Sequence, residues 1–354
     1  MAKKILMKGN EAIAEAAVKA GCRYFFGYPI TPQNELPAYL SWRLPEVGGV
    51  FLQAESEVAA SNMVYGAAGA GARVMTSSSS PGISLKAEGI SYIAGAELPA
   101  VIVNMMRGGP GLGGIQPAQS DYFQATKGMA HGDFRLFVLA PSSVQEAVDL
   151  TIDAFELADK YRNPVLLLAD GMIGQMMEPV SFERSIDPDD LPDKPWATDG
   201  AEGREKNIIN SLSLDPAELE KHNQKLKEKY DQMEKEEVRY ETYYLDDADI
   251  VIVAYGTSAR ISLSAMELAR EEGYKVGLIR PITLFPFPKE IIAKTSEKID
   301  DFLTVEMSTG QMVEDVELAV CANNSSVHFY GRTGGMIPTP EEILAEIKKI
   351  GGGK

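Results

Sequence analysis

Three stretches of this chain set a chemically capable side chain against backbone that is unusually stiff or unusually open. In "FFGYPITPQNE", residues 25–35, Pro29 and Pro32 bracket Ile30 and Thr31. The two prolines remove backbone donors and hold the chain extended or turned on either side of one hydroxyl. A hydroxyl pinned in this way donates to a substrate oxygen without first having to be ordered. It serves equally well as a cap for the helix that follows. In "LQAESEVAAS", Glu55 and Glu57 flank Ser56. Of two carboxylates spaced by two, one turns inward while the other faces water. Residues 58–72 are almost wholly small and apolar, so an inward carboxylate is desolvated and suited to sharing a proton. The helix dipole also favours a carboxylate at a helix start, with no chemistry implied. In "NMMRGGPGLGGIQPAQSDY", Arg107 closes an apolar run and opens a glycine-rich loop. Arginine offers a rigid fork for a carboxylate, and the glycines let a ligand approach the backbone. A surface arginine ahead of a mobile loop is the plainer reading. "TSSSSPG" (76–82) is a further small-residue loop, too unspecific to assign alone.

The elements that must position these residues alternate. A helix from Asn10 to Ala20 stops at Gly21, and "RYFFGYP" follows as a strand. "GVFLQA" is a second short apolar run, and "SEVAASNMVYGAAGAGA" predicts a helix packed closely on its surroundings. "RVMTSSSSPG" and "PAVIVNMMRGGPG" each read as a strand entering a small-residue loop, and "FRLFVLAPSS" and "NPVLLLADG" complete the set. This order predicts a doubly wound parallel sheet covered on both faces over residues 1–185. Residues 186–246 form a charged linker. Within it Asp215, Pro216 and Glu218 open a helix whose Leu219, Leu226, Tyr230 and Met233 make one apolar stripe. Residues 247–354 begin a second α/β block, strand, turn, amphipathic helix, strand. Its "YGTSAR" places Gly256 and Ser258 at a helix start, which suits a phosphate. Without the lysine and spacing of a Walker loop, a structural turn is the stronger reading.

The totals exclude several functions. A chain of 354 residues with 34 Lys plus Arg and 51 Asp plus Glu carries a net charge of −17, which argues against nucleic acid and anionic membranes as partners. Cys22 and Cys321 stand in no metal-ligand spacing, and His131, His222 and His328 are scattered, so no metal site is expected in this chain. The N-terminus reads as neither signal peptide nor membrane span, and the protein as cytoplasmic.

Taken together, these stretches resemble one family, the alpha-type subunits of 2-oxoacid:ferredoxin oxidoreductases. "GYPITP" (27–32), "ESEVAASNMVYGAAGAGA" (55–72), "TSSSSPG" (76–82) and "MRGGPG" (106–111) follow the family's order. "YGTSAR" (255–260), "RPITLFPFP" (280–288), "VEMSTGQM" (305–312) and "GRTGG" (331–335) look like its C-terminal domain. The run "RGGPGLGGIQPAQSDYFQATKG" most resembles subunits assigned to branched-chain 2-oxoacids such as 2-oxoisovalerate.

The resemblance implies a pyrimidine-type thiamine-diphosphate-binding α/β domain followed by a transketolase C-terminal-like α/β domain. It also implies a reaction in which 2-oxoacid, coenzyme A and oxidised ferredoxin give acyl-CoA, carbon dioxide and reduced ferredoxin. Glu57 matches the glutamate that contacts the aminopyrimidine of the cofactor, and the resemblance implies that Pro29 and Ile30 are cofactor-binding as well. Thr31 and Arg107 match the residues that contact the 2-oxoacid. The family's diphosphate motif, Gly-Asp-Gly followed by a distant asparagine, has only "ADG" (169–171) as its nearest match. The resemblance therefore places Mg²⁺ on a beta-type subunit and [4Fe-4S] clusters on a ferredoxin-like one, with a gamma subunit also expected. In the loop after Arg107 the first cation is Lys127, which favours an apolar acyl chain over 2-oxoglutarate. Pyruvate and indolepyruvate versions, and a non-catalytic scaffold, are the alternatives.

Overall fold

A computed structural model describes residues 4–323 and 325–352. Among these, fourteen strands form. Eight precede the acidic connector: β1 (Ile5–Lys8), β2 (Tyr24–Gly27), β3 (Val50–Gln53), β4 (Val74–Ser78), β5 (Ala100–Met106), β6 (Phe137–Leu139), β7 (Pro164–Asp170) and β8 (Met177–Val180). Six follow it: β9 (Tyr240–Tyr243), β10 (Ile250–Val253), β11 (Val276–Pro281), β12 (Thr283–Phe285), β13 (Asp301–Glu306) and β14 (Ser326–Gly331). The larger sheet runs β12-β6-β7-β5-β4-β2-β3 and the smaller β14-β13-β10-β11-β9, while β1 and β8 pair alone. Within the two larger sheets the neighbours are parallel except β12 and β9, which close one edge of each in the opposite direction.

Strands β4 to β7 are buried along their whole length, β5 to β7 as the near-continuous apolar runs a parallel sheet favours and β4 with Thr76, Ser77 and Ser78 buried at its end. Val101, Val103 and Met105 of β5 pack in one core with the helices Gly9–Lys19, Glu35–Glu46 and Val144–Tyr161. Ile102 and Met106 face the other way, toward Ile83 and Ile90 of the Ser80–Gly95 helix. The first helix, Gly9–Lys19, begins and ends one residue before the reading from sequence, with Ala20 as its C-cap and Gly21 at φ 79°.

The second core joins the two sheets. Val251, Val253, Ile279 and Phe302 of the smaller sheet share it with Ile102, Val138 and Leu166 of the larger. Two strands cross the segment boundaries drawn from composition: β9, in the charged segment, pairs with β11, and β12, from the last segment, pairs with β6. The helix Pro216–Glu236 starts as its cap predicts, with Asp215 Oδ1 accepting from Ala217 N at 2.8 Å. Leu226, Tyr230 and Met233 are buried, but Leu219 stays 40% exposed, so the apolar stripe is shorter than its spacing suggests. At "YGTSAR" the helix start is buried and closed by Gln119, whose Nε2 donates to Tyr255 O at 2.9 Å and whose Oε1 accepts from Ser258 Oγ at 2.6 Å. That is a structural turn. Among the described residues no helix is long and apolar enough to cross a membrane.

Candidate functional site

The larger sheet reverses direction between β2 and β4. From β2 the chain winds outward to β3 through the Glu35–Glu46 helix, and from β4 it winds the other way to β5 through Ser80–Gly95. Right-handed crossovers then put these helices on opposite faces. Only Tyr24 and Phe25 of β2 pair with Val74 and Met75 of β4 before the strands part. The crevice outside such a reversal is where open α/β sheets bind ligands. The segments after β2, β3, β4 and β5 carry Thr31, Glu57, Ser79 and Arg107 to that edge.

The Thr31 turn is held from three sides. Pro32 O accepts from Asn10 Nδ2 at 2.8 Å and from Gln175 Nε2 at 3.0 Å. Gln33, fully buried, donates to Tyr28 O at 3.3 Å and accepts from Ser77 Oγ at 2.5 Å. Thr31 Oγ1 accepts from Asn34 Nδ2 at 3.2 Å, which leaves its own O–H free to donate. Pro29 is exposed and Ile30 half-buried on the rim. Beside Thr31 lies a cleft of about 650 Å³ whose walls include Ile115, Met172, Met176 and Ile337 and, among the described residues, no lysine or arginine.

Of the two carboxylates, Glu57 is the buried one and Glu55 is exposed. Ser56 caps the Glu57–Gly69 helix by accepting from Ala59 N at 3.1 Å, which sets Glu57 at the first helical position, facing inward. No hydrogen bond reaches its carboxylate from any described residue. Ser78 Oγ and Ser79 Oγ are also buried without a partner among the described residues. A Cβ on Gly82 would stand 2.0 Å from Ser78 Oγ and 2.8 Å from Glu57 Oε1. The Glu57 acceptor and the Ser78 hydroxyl therefore lie close against Gly82, where a Cβ would intrude, and with the unpartnered Ser79 hydroxyl they make a set that fits an amino-substituted heteroaromatic ring.

Arg107 is 7% exposed and is oriented by carbonyls, with Nη1 donating to Thr31 O and Nη2 to Leu112 O, each at 3.0 Å. Its Nε has no partner among the described residues. Arg107 N donates to Ser80 Oγ at 3.1 Å, and Ser80 Oγ donates in turn to Asp121 Oδ2 at 2.6 Å. Burial pushes the Asp121 carboxyl above the usual range, against hydrogen bonds from Ser80 and Asn104. Between Ser80, Gly108–Gly111 and the Met307–Gln311 segment runs a second cleft of about 940 Å³. In the loop after Arg107, Ile115 lines the Thr31 cleft while Leu112 is 85% exposed and offers only its carbonyl. Lys127 is ion-paired with Asp315. In "ADG", Asp170 Oδ1 accepts from Met172 N at 2.8 Å and caps the short helix there. Burial raises its carboxyl too, opposed by the hydrogen bonds from the Met172 and Ile173 main-chain N–H groups.

Reading the sequence missed three residues. Gln33 and Gln119 are buried amides whose partners come from distant segments, and nothing local marks them. Lys86 did leave a signal: Ile83, Lys86, Ile90 and Ile93 recur at helical spacing, so a lysine occupies an apolar stripe. It is fully buried beside Glu57, and burial pushes its ammonium down to about 7 while Glu57 opposes the shift.

Residues 15–243 match the family model for pyruvate flavodoxin/ferredoxin oxidoreductase, thiamine diP-binding. The chain belongs to the 2-oxoacid:ferredoxin oxidoreductase family. Residues 248–343 match pyruvate:ferredoxin oxidoreductase core domain II. Among relatives in this family, the ketoisovalerate oxidoreductase subunit VorB of Methanothermobacter marburgensis is 55% identical over 98% of both chains. The 2-oxoglutarate synthase subunit KorA of Methanothermobacter thermautotrophicus is 36% identical over 99% of this chain and 100% of its own. A solved structure of 2-oxoglutarate:ferredoxin oxidoreductase from Magnetococcus marinus, with 2-oxoglutarate, coenzyme A and succinyl-CoA bound, superposes with a TM-score of 0.85 at 28% identity. That match covers 98% of this chain and 65% of the other, so this chain spans about two thirds of it. A split-gene transketolase, 13% identical over 97% of both chains with a TM-score of 0.59, shares the fold alone. The family's first domain is thus a thiamine-diphosphate-binding one, and the crevice at its β2/β4 reversal holds Thr31, Glu57 and Arg107.

Proposed function

We propose that this chain is the alpha-type subunit of an oxidoreductase that converts a branched-chain 2-oxoacid, 2-oxoisovalerate, with coenzyme A and ferredoxin to acyl-CoA, carbon dioxide and reduced ferredoxin. The observation that carries the substrate is the Thr31 cleft, apolar at Ile115, Met172, Met176 and Ile337 and, among the described residues, without a cation on its walls. Glu35, its one lining carboxylate, is held by Lys8 and Gln175. A second substrate carboxylate buried there without a partner would cost several kcal/mol, enough to disfavour 2-oxoglutarate by factors of roughly a hundred or more. The higher identity to VorB than to KorA supports the same choice.

Thiamine diphosphate, when bound, supplies the nucleophilic carbon and the electron sink for cleavage beside the carbonyl. This chain's residues serve its pyrimidine side. Glu57 accepts a hydrogen bond from a ring nitrogen, with Pro29 and Ile30 along the rim. The free O–H of Thr31 and the unpaired Nε–H of Arg107 take the oxygens of the 2-oxoacid. The diphosphate with its Mg²⁺ belongs to a beta-type subunit, and the [4Fe-4S] clusters to a ferredoxin-like subunit alongside a gamma subunit. The engagement of Asp170 in capping supports the first assignment. Exposed Tyr28, Leu52, Val58, Leu85 and Met172 supply apolar surface for partner subunits. Unpaired Cys22 and Cys321 suit the reducing cytoplasm.

The test is kcat/KM of the reconstituted complex, under anaerobic conditions, for 2-oxoisovalerate, pyruvate, indolepyruvate and 2-oxoglutarate. We expect 2-oxoisovalerate to lead; preference for 2-oxoglutarate would overturn the substrate reading. The isolated chain should bind thiamine diphosphate weakly, and tight Mg²⁺-dependent binding in calorimetry would overturn the division between subunits.

A further inference from the structure

The mechanism above leaves the fully buried Lys86 unused. Lys86 lies on the inner face of the Ser80–Gly95 helix, one turn beyond Gly82. Two close approaches fix its level: a Cβ on Gly82 would strike Ser78 Oγ and Glu57 Oε1, and a Cβ on Gly89 would stand 2.3 Å from Ser61 Oγ. The Glu57–Gly69 helix therefore packs against Ser80–Gly95 on both sides of Lys86. The ammonium turns to β4, donating to Thr76 Oγ1 at 2.5 Å and to Ser77 O at 3.2 Å.

Both of these acceptors are uncharged. A methionine would fill the same space without taking a charge out of water, so a lysine is favoured there only if its charge has a partner. The surrounding elements offer few. Strands β4 and β5 carry no ionisable side chain, and β7 carries only Asp170 at its end. Asp121 is bonded to Ser80 at the helix start, and Glu88 on the same helix is exposed and bonded to Tyr92. On the facing helix, Glu57 and Tyr65 are the ionisable groups, and Glu57 is the one whose field acts on Lys86.

We propose that Lys86 is a positioning residue for Glu57: its buried ammonium, anchored on Thr76 and Ser77 behind the glycine seam, supplies the positive field in which the Glu57 carboxylate accepts a hydrogen bond from a bound ring nitrogen. The proposal rests on the reading of Glu57 given above.

The coupling is reciprocal and can be read without catalysis. In a lysine-selective ¹³C NMR titration of the cofactor-free full-length chain, the resonance lost in Lys86→Met should titrate near 7. Glu57→Gln should lower that midpoint by about one pH unit or more; a midpoint indifferent to Glu57→Gln overturns the proposal. In the reconstituted complex, hydrogen–deuterium exchange at C2 of bound thiamine diphosphate should slow about tenfold in folded Lys86→Met. Lys86→Arg should restore part of the rate and remove its decline above neutral pH. Exchange slowed by Glu57→Gln yet untouched by Lys86→Met would remove Lys86 and leave Glu57 in its role. Exchange untouched by Glu57→Gln would remove the role of Glu57, and the proposal with it. Should Lys86→Met not fold, loss of the resonance in Lys86→Arg identifies it, and the Glu57→Gln titration decides.

Discussion

The guanidinium of Arg107 donates to the main-chain carbonyl of Thr31 at 3.0 Å, joining residues 76 apart in the chain. The cation and the hydroxyl are therefore set relative to each other before any substrate arrives. Such ordering in advance is what turns binding energy into rate.

Arg107→Ala should raise KM for every 2-oxoacid by roughly 10–100-fold, as loss of a charge-assisted hydrogen bond does, without changing the order of preference. Arg107→Lys should recover little, because an ammonium cannot hold the Thr31 and Leu112 carbonyls and still present a fork. Steady-state kinetics on two substrates decide it; a changed preference would place Arg107 at the acyl chain instead.

Glu57→Gln should leave the fold intact and slow C2 exchange of bound cofactor by roughly 10²–10⁴-fold. Glu55→Gln, at an exposed position, should behave like the parent. Reversed effects would mean that the wrong carboxylate has been assigned.

Two glycines on one helix should respond differently to alanine. At Gly82 a Cβ meets the Ser78 hydroxyl, the Glu57 carboxylate and Glu57 Cγ at 3.1 Å, all on side chains that can turn aside and none of them backbone, while the helix gains about 1 kcal/mol of propensity. Gly82→Ala should thus keep stability within about 1 kcal/mol of the parent but displace Glu57 and slow C2 exchange. Gly89→Ala meets Ser61 Cβ at 2.7 Å as well as its hydroxyl, and a Cβ cannot swing. That variant should lose about 1–3 kcal/mol in urea unfolding.

Stability should depend on Lys86 in a defined pH window. Its ammonium is pushed from 10.5 down to about 7. Between those values the unfolded chain holds a proton that the folded chain does not, so this group's contribution rises with pH, by about 1.4 kcal/mol per pH unit. The contribution is complete above 10.5 and lost as pH falls to about 7. Urea unfolding of parent and Lys86→Met from about pH 7.5 to 9.5 should therefore give curves that diverge upward for the parent. Parallel curves would show that Lys86 titrates like a surface lysine.

The amino-acid sequence determined the features that depend on near neighbours. Apolar runs ending in small-residue loops made the parallel strands, and Ser56 and Asp215 set two helix starts through bonds two or three residues long. Strand direction then carried the loops of Thr31, Glu57 and Arg107 to one edge, because parallel strands all end on the same side. What only the tertiary structure decided depends on sheet order and packing between helices. It turned Glu57 inward and Glu55 out, put Lys86 beside Glu57 across a glycine seam, and set Gln119 against Tyr255. It also sent Thr283–Phe285 to the other sheet and left Leu219 outside the core. Each of these joins residues or faces that local spacing leaves independent, so each was fixed by which surfaces met when the sheets closed on their shared core.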